Sequence, residues 1–123
     1  MTSRRLLVIA PDLDLLRSIA FALEAEGYVV TSHAAIPGNH GALGYDCVIL
    51  DHAAASGPRA AVLSFCRESW PIVLLAGTAQ HWLAPEVFRV LRTPLAVGML
   101  SDAVRQALEA RAFPALTEAE RKL

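Results

Sequence analysis

Five short apolar segments, each separated from the next by a segment of helical or turn-forming character, constrain the fold of this chain more than any other feature. Each is five or six residues long and dominated by apolar residues, which is typical of strands buried on both faces. Apolar strands that alternate with helices predict a parallel sheet with helices on both faces, joined by right-handed crossovers. The predicted strands cover residues 6–10, 28–32, 46–50, 71–76 and 87–91.

Two of the intervening segments, and the segment after the fifth strand, carry helical signals. Asp12 is a predicted N-cap of a helix over residues 13–26, because apolar residues at helical spacing follow it and Gly27 ends the pattern. A second helix is predicted to begin near Pro58, since proline is common at the first helical position. A final helix is predicted over residues 97–112, where apolar side chains recur every three or four positions.

The segments after the second and fourth predicted strands have little helical character. Residues 33–44 contain Pro37 and Gly38, which are typical of a turn. Residues 77–86 leave room for a short helix only, with Trp82 as its expected anchor. The helices at these two places are therefore expected to be shortened.

Length and composition exclude several classes of protein. The chain has 123 residues, of which 54% are hydrophobic and 19% charged. That is enough apolar surface for one domain with a real core, and too little charge for a disordered chain or a charged coiled coil. A net charge of −1 provides no field that would attract nucleic acid. The sequence contains no run of about 18 apolar residues, so no membrane span is predicted.

The N-terminal residues and the cysteines predict a cytoplasmic protein. The apolar run after Arg5 is shorter than that of a signal peptide and ends at Pro11. Cys47 and Cys66 lie singly inside apolar segments, which predicts buried free thiols in a reducing compartment. The abundance of alanine and arginine favours a bacterial source.

Polar side chains that follow the strands are candidates for chemistry, because ligands of open parallel sheets bind at the carboxyl ends of the strands. Asp51 is the only carboxylate directly at such an end. His33, His52 and His81 follow the second, third and fourth strands, so with Asp51 they form a candidate site for Zn²⁺ or an anion. Their spacing matches no known metal motif, and the chain has no Gly-x-Gly-x-x-Gly or P-loop, so no metal is expected.

The order of elements resembles the receiver domain of the response regulators of two-component signalling. The resemblance rests on a final helix and on the segments LLVIAPD, LLRSIAFALEAEGYVVT, YDCVILD, PIVLLAG and VLRTPL, which together span about residues 4–112. It implies a flavodoxin-like fold with five strands in the order 2-1-3-4-5. It also implies that Asp51 is equivalent to the aspartate that accepts a phosphoryl group from a histidine kinase.

The chain departs from the receiver pattern where the family binds Mg²⁺. Receivers carry an acidic pair at the end of the first strand, which holds Mg²⁺ together with the phospho-acceptor. Here the two positions fall on Ala10 and Pro11, and Asp12 follows one residue too late. Because Mg²⁺ prefers an octahedron of oxygen ligands, the resemblance predicts that this chain binds none at Asp51.

Two further positions of the family pocket have also changed. The Ser or Thr that contacts the phosphoryl oxygen falls on Ala76, and the Lys that precedes a proline falls on Thr93, before Pro94. A phosphorylated Asp51 would therefore lack both its metal and its lysine. A dianion without a counter-charge in a partly buried crevice is strongly disfavoured, so these changes predict a receiver that works without phosphorylation.

The favoured interpretation is a non-enzymatic, atypical receiver domain over residues 1–112. It is expected to act in signalling through a protein partner or through self-association as a homodimer, and so to control a transcriptional or other output. Residues 113–123 are read as a tail or the start of an output helix, with Thr117 and Glu120 in a capping box. Contact with DNA is expected only through an output domain beyond Leu123.

Two alternatives stay open. In the first, Asp12 joins Asp51 to hold Mg²⁺ and Arg92 replaces the lysine, so that a histidine kinase phosphorylates Asp51. In the second, the chain is a small flavodoxin-like domain that binds a nucleotide or a metal at the carboxyl edge of the sheet.

Overall fold

The computed structural model describes residues 3–38, 44–96 and 98–112, and these ranges contain one five-stranded sheet. Every neighbouring pair of strands is parallel. The strands are β1 (Arg5–Ile9), β2 (Val29–His33), β3 (Cys47–Asp51), β4 (Ile72–Ala76) and β5 (Arg89–Arg92). Their order across the sheet is β2-β1-β3-β4-β5, which confirms the predicted doubly wound, flavodoxin-like fold.

The largest boundary difference among the strands is at β5, which begins at Arg89 and not at residue 87 as predicted. Val87 is buried against the core although it precedes the strand. Phe88 joins the sheet through its backbone N–H, which donates to the carbonyl oxygen of Ile72 at 2.8 Å. The apolar residues from position 87 onward therefore indicate where the chain becomes buried, whereas β5 itself begins only at Arg89.

Helices cover the two faces of the sheet unequally. The α-helices are α1 (Leu13–Ala25), α2 (Arg59–Glu68) and α3 (Met99–Ala112). The described part of the β2–β3 connection, residues 34–38 and 44–46, contains no helix, and the β4–β5 connection contains one 3₁₀ turn, Ala84–Glu86. The expected shortening at both places is confirmed. The predicted tail and its capping box lie outside the described residues.

The strands alternate their side chains between two buried clusters. One cluster packs α1 and α3 on the sheet and defines the α1/α3 face. The other packs α2 and the 3₁₀ turn on the opposite side and defines the α2 face. The completely buried positions of the strands include Leu6, Leu7, Val8, Ile9, Ile49, Leu50, Ile72, Val73, Leu74 and Leu75.

Both cysteines are buried free thiols, as predicted. Burial raises the pKa of the Cys47 thiol to about 12 and that of Cys66 to about 11. A thiol reacts as its thiolate, so neither side chain is activated for chemistry. No helix among the described residues is long and apolar enough to cross a membrane.

Candidate functional site

Asp51 occupies the carboxyl end of β3, next to Leu75 of β4. The residue is only 7% exposed. Its Oδ2 accepts the backbone N–H of Ala53 at 3.2 Å, so the carboxylate caps the 3₁₀ turn His52–Ala54. Among the ion pairs of the described residues, none involves Asp51. The Asp51 carboxylate is therefore held by a local backbone contact and has no cationic partner among the described ion pairs.

The residues that end β1 contribute no carboxylate beside Asp51. Ala10 is fully buried in the cluster of the α1/α3 face, and its backbone N–H donates to the carbonyl oxygen of His33 at 3.0 Å. Pro11 is exposed and has no side-chain oxygen. Ala10 is therefore part of the core, and the Pro11 side chain offers no metal ligand.

Asp12 is used by the helix that follows it. Its Oδ1 accepts the backbone N–H groups of Asp14 at 2.9 Å and of Leu15 at 3.3 Å, which confirms it as the N-cap of α1.

The residues at this edge do not fit Mg²⁺. That ion prefers six oxygen ligands at close to octahedral geometry, and it needs carboxylates that converge on one point. Within residues 3–38, 44–96 and 98–112, no group of three or more His, Cys, Asp or Glu side chains could hold a metal ion. Asp51 and Asp12 each accept neighbouring backbone N–H groups, so the two carboxylates that the first alternative pairs around the ion serve separate turns.

Replacing Asp12 by alanine is expected to lower the free energy of unfolding by about 1 kcal/mol, because two N–H groups of the first turn lose their acceptor. Asp12→Asn is the matched control, since asparagine caps helices about as well as aspartate. Urea unfolding of both variants measures the difference. A cost in Asp12→Asn equal to that in Asp12→Ala would contradict a capping role.

The remaining pocket positions are also without the family's functional groups. Ala76, at the end of β4, is fully buried and has no hydroxyl. Thr93 is exposed, and its backbone N–H donates to the carbonyl oxygen of Ala76 at 3.0 Å. Pro94 follows it. Arg92 is exposed at the end of β5, and no described ion pair joins it to Asp51.

The structure brings together two of the three candidate histidines. The ring centroids of His52 and His81 lie 6.2 Å apart at the carboxyl edge of β3 and β4. His33 ends the edge strand β2, and β1 and β3 separate that strand from β4. The set of three histidines that was considered for Zn²⁺ is therefore not assembled.

Two residues that sequence reasoning did not connect complete this cluster. The His81 ring stacks on Trp82 with 6.0 Å between ring centroids and 28° between planes. The guanidinium carbon of Arg59, on α2, lies 4.7 Å from the centroid of the Trp82 ring. Arg59 and Trp82 belong to segments far apart in the chain, so no spacing motif could have indicated their contact.

An open groove of about 490 Å³ lies beside α2, near the place where the β2–β3 connection lacks a helix in its described part. Its lining is mostly small and apolar, and the charged residue in it is Glu68. Phosphate groups need cationic side chains or backbone N–H donors, so this lining does not favour a nucleotide. The lining includes Ile36, Pro37, Ala61, Val62 and Phe65.

Comparison with known proteins identifies the fold. No family model matches the chain, and no curated protein does. A response regulator receiver protein from Sinorhizobium medicae has a TM-score of 0.73 at 23% identity, covering 89% of this chain and 97% of that one. A receiver domain protein from Clostridium thermocellum has a TM-score of 0.71 at 21% identity, covering 89% and 98%.

Full-length FixJ from B. japonicum is also similar, with a TM-score of 0.73 at 22% identity. The match covers 97% of this chain and 64% of that one, so FixJ is considerably longer than the matched part. The chain therefore has the fold of response regulator receiver domains, as the resemblance of its sequence predicts.

Proposed function

We propose that this chain is an atypical receiver domain of two-component-type signalling, and that it relays a signal through protein contacts without accepting a phosphoryl group. The observation that carries the proposal is the isolation of Asp51. Asp51 ends β3, and the resemblance of the sequence makes it the equivalent of the phospho-acceptor. Its carboxylate is buried, accepts the Ala53 N–H and has no cationic partner among the described ion pairs.

The electrostatics of a phosphorylated Asp51 support this proposal. Phosphoryl transfer relies on positive charge at the phosphoryl oxygens, and receivers supply it with Mg²⁺ and lysine. One close ion pair near a protein surface corresponds to about 4 kcal/mol before desolvation. The side chains of Ala10 and Pro11 supply no metal ligand, and Thr93 supplies no cation. The phosphorylated state would therefore lack the interactions that stabilise it.

A signal that is not carried by phosphorylation has to pass through binding, and α1 offers apolar side chains for a protein contact. Leu13 is 54% exposed and Phe21 is 77% exposed. Their spacing of eight positions places both on one side of the helix. Val29, on the edge strand β2, is a third large exposed apolar residue. Contiguous exposed apolar patches mark protein interfaces, and we propose that these side chains form such a contact.

The proposed partner is a protein, either a second copy of the chain or another component of the pathway such as a histidine kinase. We infer a non-enzymatic role, because no metal-binding group of described residues surrounds Asp51. We infer a cytoplasmic location from the two buried free thiols, which are typical of a reducing compartment. Any action on DNA would belong to an output domain outside this chain.

Mg²⁺ with beryllium fluoride, a phosphoryl analogue, tests the absence of phospho-acceptor chemistry. A ligand at 100 times its Kd stabilises a fold by about 2.7 kcal/mol, which is several degrees in Tm for a domain of this size. We expect no change in Tm for this chain, while a conventional receiver measured in parallel is stabilised. A rise in Tm that Asp51→Asn abolishes would overturn the proposal.

Sedimentation velocity over a wide concentration range tests self-association. We expect the sedimentation coefficient to rise with concentration, and Phe21→Ser to shift that rise to higher concentration. Ala22→Ser is the matched control, because Ala22 is also exposed on α1 but has a much smaller apolar side chain than Phe21. A monomer at every concentration would contradict the homodimer.

A further inference from the structure

His81 accepts a hydrogen bond that requires its ring to be neutral. The backbone N–H of Leu83 donates to Nδ1 of His81 at 3.1 Å. A neutral imidazole has one acceptor nitrogen, whereas a protonated one has two donors and no acceptor. The contact therefore closes the turn between His81 and Leu83 only while His81 carries no positive charge.

This turn ties the β4–β5 connection to the core. Leu83 is completely buried in the cluster of the α2 face. The carbonyl oxygen of His81 accepts the N–H of Ala84 at 2.9 Å, which leads into the 3₁₀ turn Ala84–Glu86. Residues 77–80, which precede the turn, are exposed. The His81–Leu83 contact thus lies between an exposed segment and a buried anchor.

The titratable side chains described next to His81 are basic. His52, on the 3₁₀ turn after β3, is its ring neighbour, and Arg59, on α2, lies over the Trp82 ring on which His81 stacks. The carboxylates of the adjoining elements are engaged elsewhere. Asp51 caps its own turn, and Glu86 pairs with Arg67 at 3.6 Å.

The geometry points to a proton-operated latch: protonation of His81 removes the acceptor for the Leu83 N–H and releases the connection between β4 and β5 from its closed turn. The proton comes from solvent and binds at Nδ1, the hydrogen bond from the Leu83 N–H is lost, and no covalent bond other than the new N–H is made or broken. The latch does not depend on the proposed function, because it needs no chemistry at Asp51.

The energetics of the cluster set the direction of the pH dependence. Burial, and to a smaller degree His52, lowers the pKa of His81 below its ordinary value of 6.5. The unfolded chain then binds this proton more strongly than the folded chain does. The contribution of His81 to stability is accordingly full above pH 6.5, falls as the pH drops through 6.5, and becomes constant below the folded pKa.

Nuclear magnetic resonance of the histidine rings and of the Leu83 amide, titrated from pH 8 to pH 4.5 on the full chain, tests the latch directly. We expect His81 to titrate below 6.5 and the Leu83 amide signal to move with the same midpoint. His52→Asn should raise the His81 midpoint toward 6.5, whereas His33→Asn should leave it unchanged. A His81 midpoint at or above 6.5, or a Leu83 amide signal that does not change with pH, would overturn the proposal.

His81→Asn separates the latch from simple acid unfolding. An asparagine side chain can accept an N–H two residues later, so this variant keeps an acceptor that does not titrate. We expect it to fold, and we expect the Leu83 amide to lose its response to pH in this range. A Leu83 response that persists in His81→Asn would show that another group controls the turn, and the assignment to His81 would be wrong.

Discussion

Replacing Ala10 by aspartate is expected to lower the free energy of unfolding by about 3–5 kcal/mol at neutral pH. Ala10 is completely buried in the packed cluster of the α1/α3 face. A carboxylate placed there would be buried without a cation, and uncompensated buried charges have costs of this size. A typical domain is stable by only about 5–15 kcal/mol, so the variant would be close to unfolding.

Two control variants separate the effect of the carboxylate charge in Ala10→Asp from the effect of its buried position. Ala10→Asn introduces a side chain of similar size without a charge, so the part of the cost that depends on pH should disappear. Pro11→Asp places the same carboxylate one residue later at an exposed position, where we expect a cost of at most about 1 kcal/mol. Urea unfolding at pH 7 and at pH 5 is the measurement. A cost of Ala10→Asp no larger than that of Pro11→Asp would contradict this prediction, because it would mean that the side chain at position 10 is not buried away from solvent.

Replacing Leu74 by alanine is expected to cost about 3 kcal/mol. Leu74 is completely buried in the middle of β4, and its backbone pairs with Leu50 on one side and Val90 on the other. Truncation of a buried leucine loses its transfer free energy and leaves a cavity, for a total of about 2–5 kcal/mol. The measurement is the shift in the urea midpoint at an unchanged slope.

Leu13→Ala is the matched control for this truncation. Leu13 is 54% exposed at the start of α1, so the same change should cost well under 1 kcal/mol. Equal costs for Leu74→Ala and Leu13→Ala would mean that the sheet does not form the core that we describe.

The architecture could be predicted because apolar runs, caps and breakers act locally. The five runs marked the strands, and Asp12 marked the start of α1 through hydrogen bonds to its own next residues. The strand order came from the resemblance to receivers. Boundaries were less accurate at β5, because Val87 is buried by tertiary packing before the strand begins.

The side-chain cluster at the carboxyl edge could be predicted only in part. The segments that carry His52 and His81 follow neighbouring strands, so their approach follows from the topology. His33 was only a candidate for the same group, and it ends the edge strand β2, which the same strand order separates from β4. The contact of Arg59 with Trp82 depends on how α2 packs, and local sequence does not encode that.

We propose that Asp51 has the position of a phospho-acceptor without its chemistry. The most direct test is the intact mass of the protein after incubation with Mg²⁺ and a small-molecule phosphodonor, with a conventional receiver treated alongside. We predict that the mass of this chain stays unchanged while the conventional receiver gains one phosphoryl group. A gain of one phosphoryl group that is lost in Asp51→Asn would contradict the claim.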